Sequence, residues 1–357
     1  MTHCVHVSKI MACAFFLLII SQQTTQAKPS TLIFTSPEKL LVAHNSAIYC
    51  VDILTQCTST IAFFSSRSCF DAIAYNENEQ TIYATIRRGG EKLYNDLLVI
   101  PEQTPRSLSI KGSDYARIML SPNGNHILTL KTQSKTQVNT DSRREAYNES
   151  LHKFSRHTLD LEIEKEINLQ STDLGEILYM ELSVNTNTAL IKTCDGKILL
   201  WNSESNFLTR LTNNLTGYRT IGTLSNDGQW AFVATQTTGR LLKIAGEINV
   251  HLCIDEPIRY AAFSSNSKYL IIISETATPD ISHVAIFDLN AEPQEQPEAT
   301  IRRISDKLIH LDIQFNSVAL SPDGGTFATL SRDGKLQIID VKTESIITKN
   351  LHGDKQK

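Results

Sequence analysis

The sequence lacks every short motif that marks a common catalytic or cofactor site. It contains no G-x-S-x-G nucleophile elbow, no H-E-x-x-H zinc motif, no phosphate-binding glycine loop and no dinucleotide fingerprint. The ten histidines are scattered singly along the chain. We therefore expect no cofactor and no metal, and we expect that the protein is not an enzyme of a class that depends on these motifs.

The sequence also lacks a large excess of either positive or negative charge. The 34 Lys and Arg residues and 38 Asp and Glu residues give a formal net charge of −4 and form no long single-sign block. This dispersed, slightly acidic balance argues against a protein that coats nucleic acid. A nucleic-acid partner is not expected.

Long apolar runs are absent except near the N-terminus. Lys9 precedes an apolar run from Ile10 to Ile20, and a polar stretch then ends at Ala27. The run is shorter than the about 20 residues that span a bilayer, and its flanks are typical of a signal peptide. We predict a signal peptide at residues 1–27 and export to the periplasm or medium, with a retained anchor as the alternative.

Cysteine is too sparse and too irregularly spaced for a disulfide framework. Beyond the predicted signal peptide there are Cys50, Cys57, Cys69, Cys194 and Cys253, and none forms a C-x-x-C pair. The first two flank a predicted hairpin turn, so they could pair in an oxidising compartment. The alternative is that each of the five is a small apolar core residue.

The chain does contain a repeated unit of apolar strand, polar turn and apolar strand. The residue that ends the first strand of each unit recurs at about 40-residue intervals. These landmark residues are Ser36, Asn76, Ser121, Ser183, Ser225, Ser264 and Ser321. Two intervals are longer because of polar insertions. One contains Lys131–Ser150, and the other contains both Glu275–Asp280 and Asn290–Ala299.

Each unit continues into a third strand that often ends on an acidic residue, and then into a fourth. Asp52, Asp288 and Asp340 occupy that ending, and we expect them to accept hydrogen bonds from the following turn. Four strands in about 40–45 residues are the signature of a β-propeller, because one small sheet cannot bury both of its faces alone. We predict an all-β, seven-bladed propeller of four-stranded antiparallel blades over residues 31–351, followed by a polar tail at 352–357.

The units resemble WD40 repeats, best in the last copy. The S-P-D-G turn at Ser321–Gly324, the D-G-K turn at Asp333–Lys335 and the Ile339-Asp340 ending match the family pattern. The Gly-His dipeptide that opens a WD40 repeat is missing throughout, and only Trp201 occupies the tryptophan position. The family's His–Ser–Trp–Asp network is therefore not expected, and TolB-like propellers are the looser match.

Cationic residues concentrate in the second-to-third-strand connections of the second and third units. They are Arg87, Arg88, Lys131, Lys135, Arg143 and Arg144. All such connections of a propeller emerge on one rim, so we expect these residues to lie near one another. They form either an ordinary solvated loop surface or a recognition surface for an acidic partner or anionic lipid.

Three functions fit these observations. The WD40 resemblance implies a monomeric, non-enzymatic scaffold that binds protein partners through rim loops, and the TolB-like resemblance implies an accessory factor of envelope assembly. The third is a propeller hydrolase or lyase, since fold does not settle function. Carboxylates converging with a histidine at the channel mouth would favour the enzyme, whereas small apolar and hydroxyl side chains there would favour the scaffold.

Overall fold

The structure is a computed structural model, and the parts of the chain that it describes lie between residues 31 and 351. The gaps in this description are residues 64–67, 89–93, 101–105, 109–114, 123–125, 135–149, 159–162, 170–176, 186, 194–195, 206, 212–219, 246–248, 279, 291–301 and 312–314. Every regular element within the described ranges is a β-strand. These ranges contain no helix that is long and apolar enough to cross a membrane.

The strands form four-stranded groups in chain order, which we number as blades. Blade 1 contains β1 (Leu32–Ser36), β2 (Lys39–His44), β3 (Ala47–Asp52) and β4 (Thr58–Phe63). Blade 2 contains β5 (Ser68–Asn76), β6 (Thr81–Arg88), β7 (Tyr94–Ile100) and β8 (Arg106–Leu108). Blade 3 contains β9 (Tyr115–Leu120), β10 (His126–Ser134), β11 (Ser150–Thr158) and β12 (Ile163–Leu169).

The remaining blades follow the same plan. Blade 4 contains β13 (Ile177–Leu182), β14 (Thr188–Thr193), β15 (Ile198–Asn202) and β16 (Phe207–Arg210). Blade 5 contains β17 (Thr220–Leu224), β18 (Trp230–Thr235), β19 (Thr238–Lys243) and β20 (Asn249–Cys253). Blade 6 contains β21 (Ile258–Phe263), β22 (Tyr269–Glu275), β23 (Ile281–Asp288) and β24 (Arg302–His310). Blade 7 contains β25 (Phe315–Leu320), β26 (Thr326–Ser331), β27 (Lys335–Asp340) and β28 (Ile346–Asn350).

Each blade is an antiparallel meander, and the seven sheets of the described chain close into a ring. Neighbouring blades touch through their first strands, and β1 of blade 1 also contacts β25 and β26 of blade 7. No strand is exchanged at this seam, where the Tyr49 hydroxyl donates a hydrogen bond of 3.1 Å to the Leu351 carbonyl oxygen. The predicted all-β propeller of four-stranded antiparallel blades is confirmed. The signal peptide and the polar tail lie outside the described residues and remain predictions.

The hydrophobic core lies between the blades rather than at the centre of the ring. Phe327 of blade 7 has no exposed surface and packs with Ile271 of blade 6, and Phe232 of blade 5 packs with Ile272 on the opposite face of blade 6. Because alternate residues of a strand point to opposite faces, one blade contributes to two of these layers. Strands whose residues are apolar on one face and strands that are apolar on both faces are therefore both buried between blades.

The structure leaves Cys50 and Cys57 as free thiols. Cys50 is half-buried in β3, which fits the expectation of a core residue. Cys57 is exposed in the connection between β3 and β4, so that expectation is wrong for this residue. The reason is that Cys57 lies in the connection after Asp52, beyond the end of the third strand.

Candidate partner-binding rim

The meander divides the connections of every blade between two rims of the ring. We call the turn rim the one that carries the connections from first to second and from third to fourth strand. We call the loop rim the one that carries the connections from second to third strand and from one blade to the next. The two rims differ in how their polar side chains are used.

The landmark serines build the turns of the turn rim. The Ser225 hydroxyl accepts a hydrogen bond of 2.8 Å from the Trp230 amide and donates one of 2.5 Å to Asp227. The Asp227 carboxylate in turn accepts a hydrogen bond of 3.0 Å from the Gln229 amide. Ser264 and Ser321 form the same arrangement. The repeated serine is therefore a structural residue, which explains why it marks the repeat.

These turns are also hydrogen-bonded to one another across blades 4 to 7. The Val184 amide donates to the Asn226 carbonyl oxygen at 2.6 Å. The side-chain amide of Asn226 donates to the Ser265 carbonyl oxygen at 2.9 Å, and that of Asn266 donates to the Pro322 carbonyl oxygen at 2.6 Å. The turn rim is thus tied together by its own polar groups, blade by blade.

The acidic strand endings do what the sequence predicts. Asp52 accepts two hydrogen bonds of 2.8 Å from the amide and hydroxyl of Thr55, and Asp340 accepts bonds of 2.7 and 2.8 Å from those of Thr343. Asp288 accepts one of 2.9 Å from the Asn290 amide. These hydrogen bonds hold the pKa of Asp52 and Asp340 below the usual range of a carboxyl. The prediction of turn-stabilising carboxylates is confirmed.

The predicted basic residues are distributed between strand ends and positions outside the described ranges. Arg87 and Arg88 are the last residues of β6, and Lys131 lies inside β10, opposite Tyr115 and Lys153. The prediction that Arg87, Arg88 and Lys131 lie in loops is therefore wrong. The second strands of blades 2 and 3, β6 and β10, continue past their apolar segments. Lys135, Arg143 and Arg144 lie outside the described residues. Arg87 and Arg88 end β6 at the loop rim. That the six residues lie near one another and bind a partner stays a prediction.

On the other side of the ring, the loop rim contains an open cleft between blades 6 and 7. Its volume is about 330 Å³. The residues that line it are Asp280, His310, Leu311, Lys335 and Gln337. They come from the β22–β23 connection, the end of β24 and the start of β27. A polar cleft at a blade boundary is a natural place for a partner or ligand.

Ion pairs join charged side chains of blade 6 and of its connection from blade 5. Arg259 donates a hydrogen bond of 2.8 Å to Glu275. His283 contacts Glu256 at 2.8 Å through Nδ1 and contacts Asp306 through Nε2. Burial opposes protonation of His283, but the two carboxylates outweigh it and raise the pKa of the imidazole above its usual value.

The inner strands hold a second polar group of residues. Glu181 of β13 accepts hydrogen bonds of 3.2 Å from the Thr223 hydroxyl and 2.7 Å from the Leu224 amide of the next blade. Burial, assisted by the charge of Glu181, raises the pKa of Tyr260 to about 12. In the described part of the chain, no group of three or more His, Cys, Asp and Glu residues is arranged to hold a metal ion.

Sequence reasoning missed the cleft, although it named segments that form it. The D-G-K turn supplies Lys335, and the polar stretch Glu275–Asp280 was recognised only as an insertion. The missing information is the packing of blade 6 against blade 7, which brings Asp280 and Lys335 to one place. Their spacing along the chain contains no such signal.

The ring of four-stranded meanders and its serine-based turns define a β-propeller. Residues 309–340, from the end of β24 through β27, match the family model of WD40, the WD domain or G-beta repeat. The predicted resemblance to WD40 repeats is confirmed over this last unit. No curated protein sequence matches the chain.

Solved structures with the same fold are distant in sequence. A chain of the mitotic checkpoint complex crystal structure has a TM-score of 0.56 at 11% identity, covering 88% of this chain and 87% of that chain. Hydrazine synthase of Kuenenia stuttgartiensis has a TM-score of 0.53 at 13% identity, covering 92% of this chain and 97% of that chain. At such low identity these similarities establish the fold alone.

Proposed function

We propose that this propeller is a non-enzymatic scaffold that binds a protein partner through its loop rim. The observation that carries the proposal is the difference between the rims. From blade 4 to blade 7, polar groups of the turn rim bind neighbouring turns. The loop rim instead has connections of unequal length and an open polar cleft. The loop rim has cross-blade hydrogen bonds of its own, such as the bond of 3.0 Å from the Thr220 hydroxyl to the Gly196 carbonyl oxygen. Connections of unequal length on a rigid scaffold are nevertheless where binding residues concentrate.

The basic positions of blades 2 and 3 support an acidic partner. Arg87 and Arg88 end β6, and the neighbouring hairpin between Ser134 and Ser150 contains two further arginines. Guanidinium groups pair with carboxylates in a bidentate geometry, and clustered charge of one sign accelerates the encounter with a partner of opposite sign. We therefore assign partner recognition to this sector of the loop rim.

Charge reversal tests this assignment. The rim variant replaces Arg88, Arg143 and Arg144 by glutamate. The control variant replaces Lys39, Lys268 and Lys342 by glutamate, which changes the net charge equally on exposed positions of the turn rim. Affinity capture from the native source, quantified protein by protein at low and at physiological salt, compares both variants with the unchanged chain.

The expected result is a partner that is lost with the rim variant and kept with the control. The loss should shrink as salt rises, because charges are screened beyond about 8 Å at physiological ionic strength. Equal capture of every partner by both variants at low salt would contradict the assignment. Circular dichroism and thermal unfolding of both variants establish that any loss does not come from misfolding.

The proposal includes export to the periplasm or the medium. Its support is the basic, apolar and small-residue succession of residues 1–27. N-terminal sequencing of protein isolated from the native host tests it. A mature chain that begins after Ala27 supports export, whereas cytosolic protein beginning at Met1 refutes it.

A further inference from the structure

The outer strand of blade 1 has an exposed apolar edge. β4 (Thr58–Phe63) pairs with β3, and no other described strand pairs with it. At its end on the loop rim Phe63 is 72% exposed, and within the strand Ile61 is 37% exposed. The connection that precedes β4 adds Leu54 on the turn rim, which is 71% exposed. We call residues 54–63 the blade 1 edge.

The turn before β4 does not require a leucine at position 54. Leu54 is the second residue after Asp52, and in blade 7 the second residue after Asp340 is Lys342. In both turns the aspartate accepts the same pair of hydrogen bonds from a threonine. A charged residue therefore suits this turn as well, and the exposed leucine is not needed to close it.

The blade 1 edge also lacks the charges that most outer strands of this chain contain. An outer strand presents unpaired N–H and C=O groups, and charged residues, proline or a bulge usually prevent another strand from pairing with it. β4 has a bulge at Ile61 but contains no charged residue and no proline. The outer strands β8, β12, β16, β24 and β28 each contain at least one charged residue. β20 contains none, but its Val250 and Leu252 are half-buried.

We propose that two copies of this chain associate through their blade 1 edges, with the two β4 strands antiparallel across a two-fold axis. In such a contact both copies present the same surface. Like charges placed opposite each other destabilise paired strands. Residues 54–63 contain no charged residue, so the contact avoids this repulsion.

The positions of the apolar side chains favour a second copy as the occupant of this edge. Leu54 lies at the turn-rim end and Phe63 at the loop-rim end. Because a two-fold axis reverses one strand relative to the other, it places Leu54 of one copy near Phe63 of the other at both ends of the contact. Lys349 of blade 7 contacts the Gln56 carbonyl oxygen near the turn-rim end. The axis therefore also keeps the two Lys349 side chains at opposite ends.

The contact is small. The blade 1 edge supplies ten residues per copy, from 54 to 63, whereas a standard protein interface has about 20–30 residues on each side. We therefore expect a weak dimer that forms at high protein concentration. Since β4 is the outermost strand of its blade, the two rings meet at their perimeters and both rims of each ring stay open.

This inference goes beyond the proposed scaffold function and uses none of the residues tested there. The WD40 resemblance implies a monomer, whereas the blade 1 edge favours a dimer. The arginine variants report on partner capture through the loop rim, and the experiment below reports on self-association of the purified protein. A failure of one proposal therefore leaves the other unaffected.

Sedimentation velocity of the purified protein, from low micromolar to several hundred micromolar, tests the proposal. A reducing agent is present throughout, because Cys57 is an exposed thiol within the edge and could join two copies by a disulfide. Thr60→Lys places a charge in the middle of β4, and Leu54→Lys introduces the residue type that blade 7 has at the equivalent position. Thr209→Lys is the matched control, because it adds the same charge at an exposed threonine of β16, the outer strand of blade 4.

The expected result is a sedimentation coefficient that rises with concentration toward that of a dimer. Thr60→Lys and Leu54→Lys should each weaken self-association at least about ten-fold, whereas Thr209→Lys should self-associate as the unchanged protein does. Substitutions at exposed positions seldom alter stability, and equal melting temperatures of dilute samples establish that each variant is folded. A monomer at every concentration would overturn the proposal. Self-association that either edge variant leaves unchanged, or that Thr209→Lys weakens equally, would overturn it as well.

Discussion

The contact between the turns of blades 4 and 5 leads to a prediction that can be worked out in numbers. Gly228 has a φ of 71°, and a Cβ atom added to it would lie 2.8 Å from the Cβ of Ser183. Holding a residue other than glycine in the left-handed conformation destabilises the folded state by roughly 1–2 kcal/mol. Steric overpacking destabilises it by about 1–3 kcal/mol more. Gly228→Ala should therefore lower the free energy of unfolding by roughly 2–5 kcal/mol.

Gly325 provides a control from an equivalent turn. A Cβ added there lies 3.4 Å from the Asp323 carboxylate, an ordinary contact, and its φ is outside the left-handed range. Alanine at this position also restricts the unfolded chain, which stabilises a protein by about 0.4–1 kcal/mol where no strain arises. Gly325→Ala should therefore be neutral or slightly stabilising.

Urea unfolding followed by circular dichroism measures both variants. We expect a lower midpoint for Gly228→Ala, with a drop in melting temperature of roughly 5 °C, and no loss for Gly325→Ala. Gly324→Ala repeats the test at blade 7, where the added Cβ would meet the Tyr269 ring at 3.1 Å. If Gly228→Ala were as stable as Gly325→Ala, the close approach of neighbouring turns would not constrain this fold.

Three further outcomes are expected. Phe327→Ala should lower the free energy of unfolding by roughly 3–5 kcal/mol, because this core residue is fully buried. Phe63 is 72% exposed, so Phe63→Ala should change it by no more than about 0.5 kcal/mol. Thermal unfolding compares the two variants. The carboxylates raise the pKa of His283 despite its burial, so its stabilising contribution is complete below pH 6.5 and is lost as pH rises through the folded-state pKa. The stability difference between wild type and His283→Gln should therefore shrink from acidic to alkaline pH, which urea unfolding at several pH values measures; a difference that does not change with pH would contradict the reasoning. Limited proteolysis should cut first within Lys131–Ser150 and Asn290–Ala299 and leave one resistant core. Two separately stable fragments would contradict a single ring.

Local chemistry explains why much of the fold could be predicted from the sequence. The hydroxyl of Ser225 and the carboxylate of Asp340 act within five residues of their own position, so their roles are visible in the repeat itself. Rim membership of Arg88 follows from strand order alone. These features require no knowledge of how one blade packs on the next.

The predictions that failed depend on geometry that the repeat does not encode. Lys131 was placed in a loop because the apolar run ends before it, yet β10 continues to Ser134 by pairing with β11. Strand length in a long hairpin is set by the partner strand rather than by the apolar run. The cleft around Asp280 likewise depends on the packing of two blades whose contacts are about 30 to 60 residues apart in the chain.

The geometry of a ring explains why the two rims have different sequences. First strands lie closest to the centre, and neighbouring strands of a blade are spaced by about 4.8 Å, so the space between blades widens outward. The first-to-second turns are therefore near enough to bond each other, as Asn226 does with Ser265, and these turns are rich in Ser, Asn, Asp and Gly. The second-to-third connections lie further out, where the space between blades widens. They are free to lengthen, as between Ser134 and Ser150, or to leave a cleft, as beside Asp280. The recognition surface that we propose lies on the loop rim, where connections can differ in length from blade to blade without changing these turn contacts.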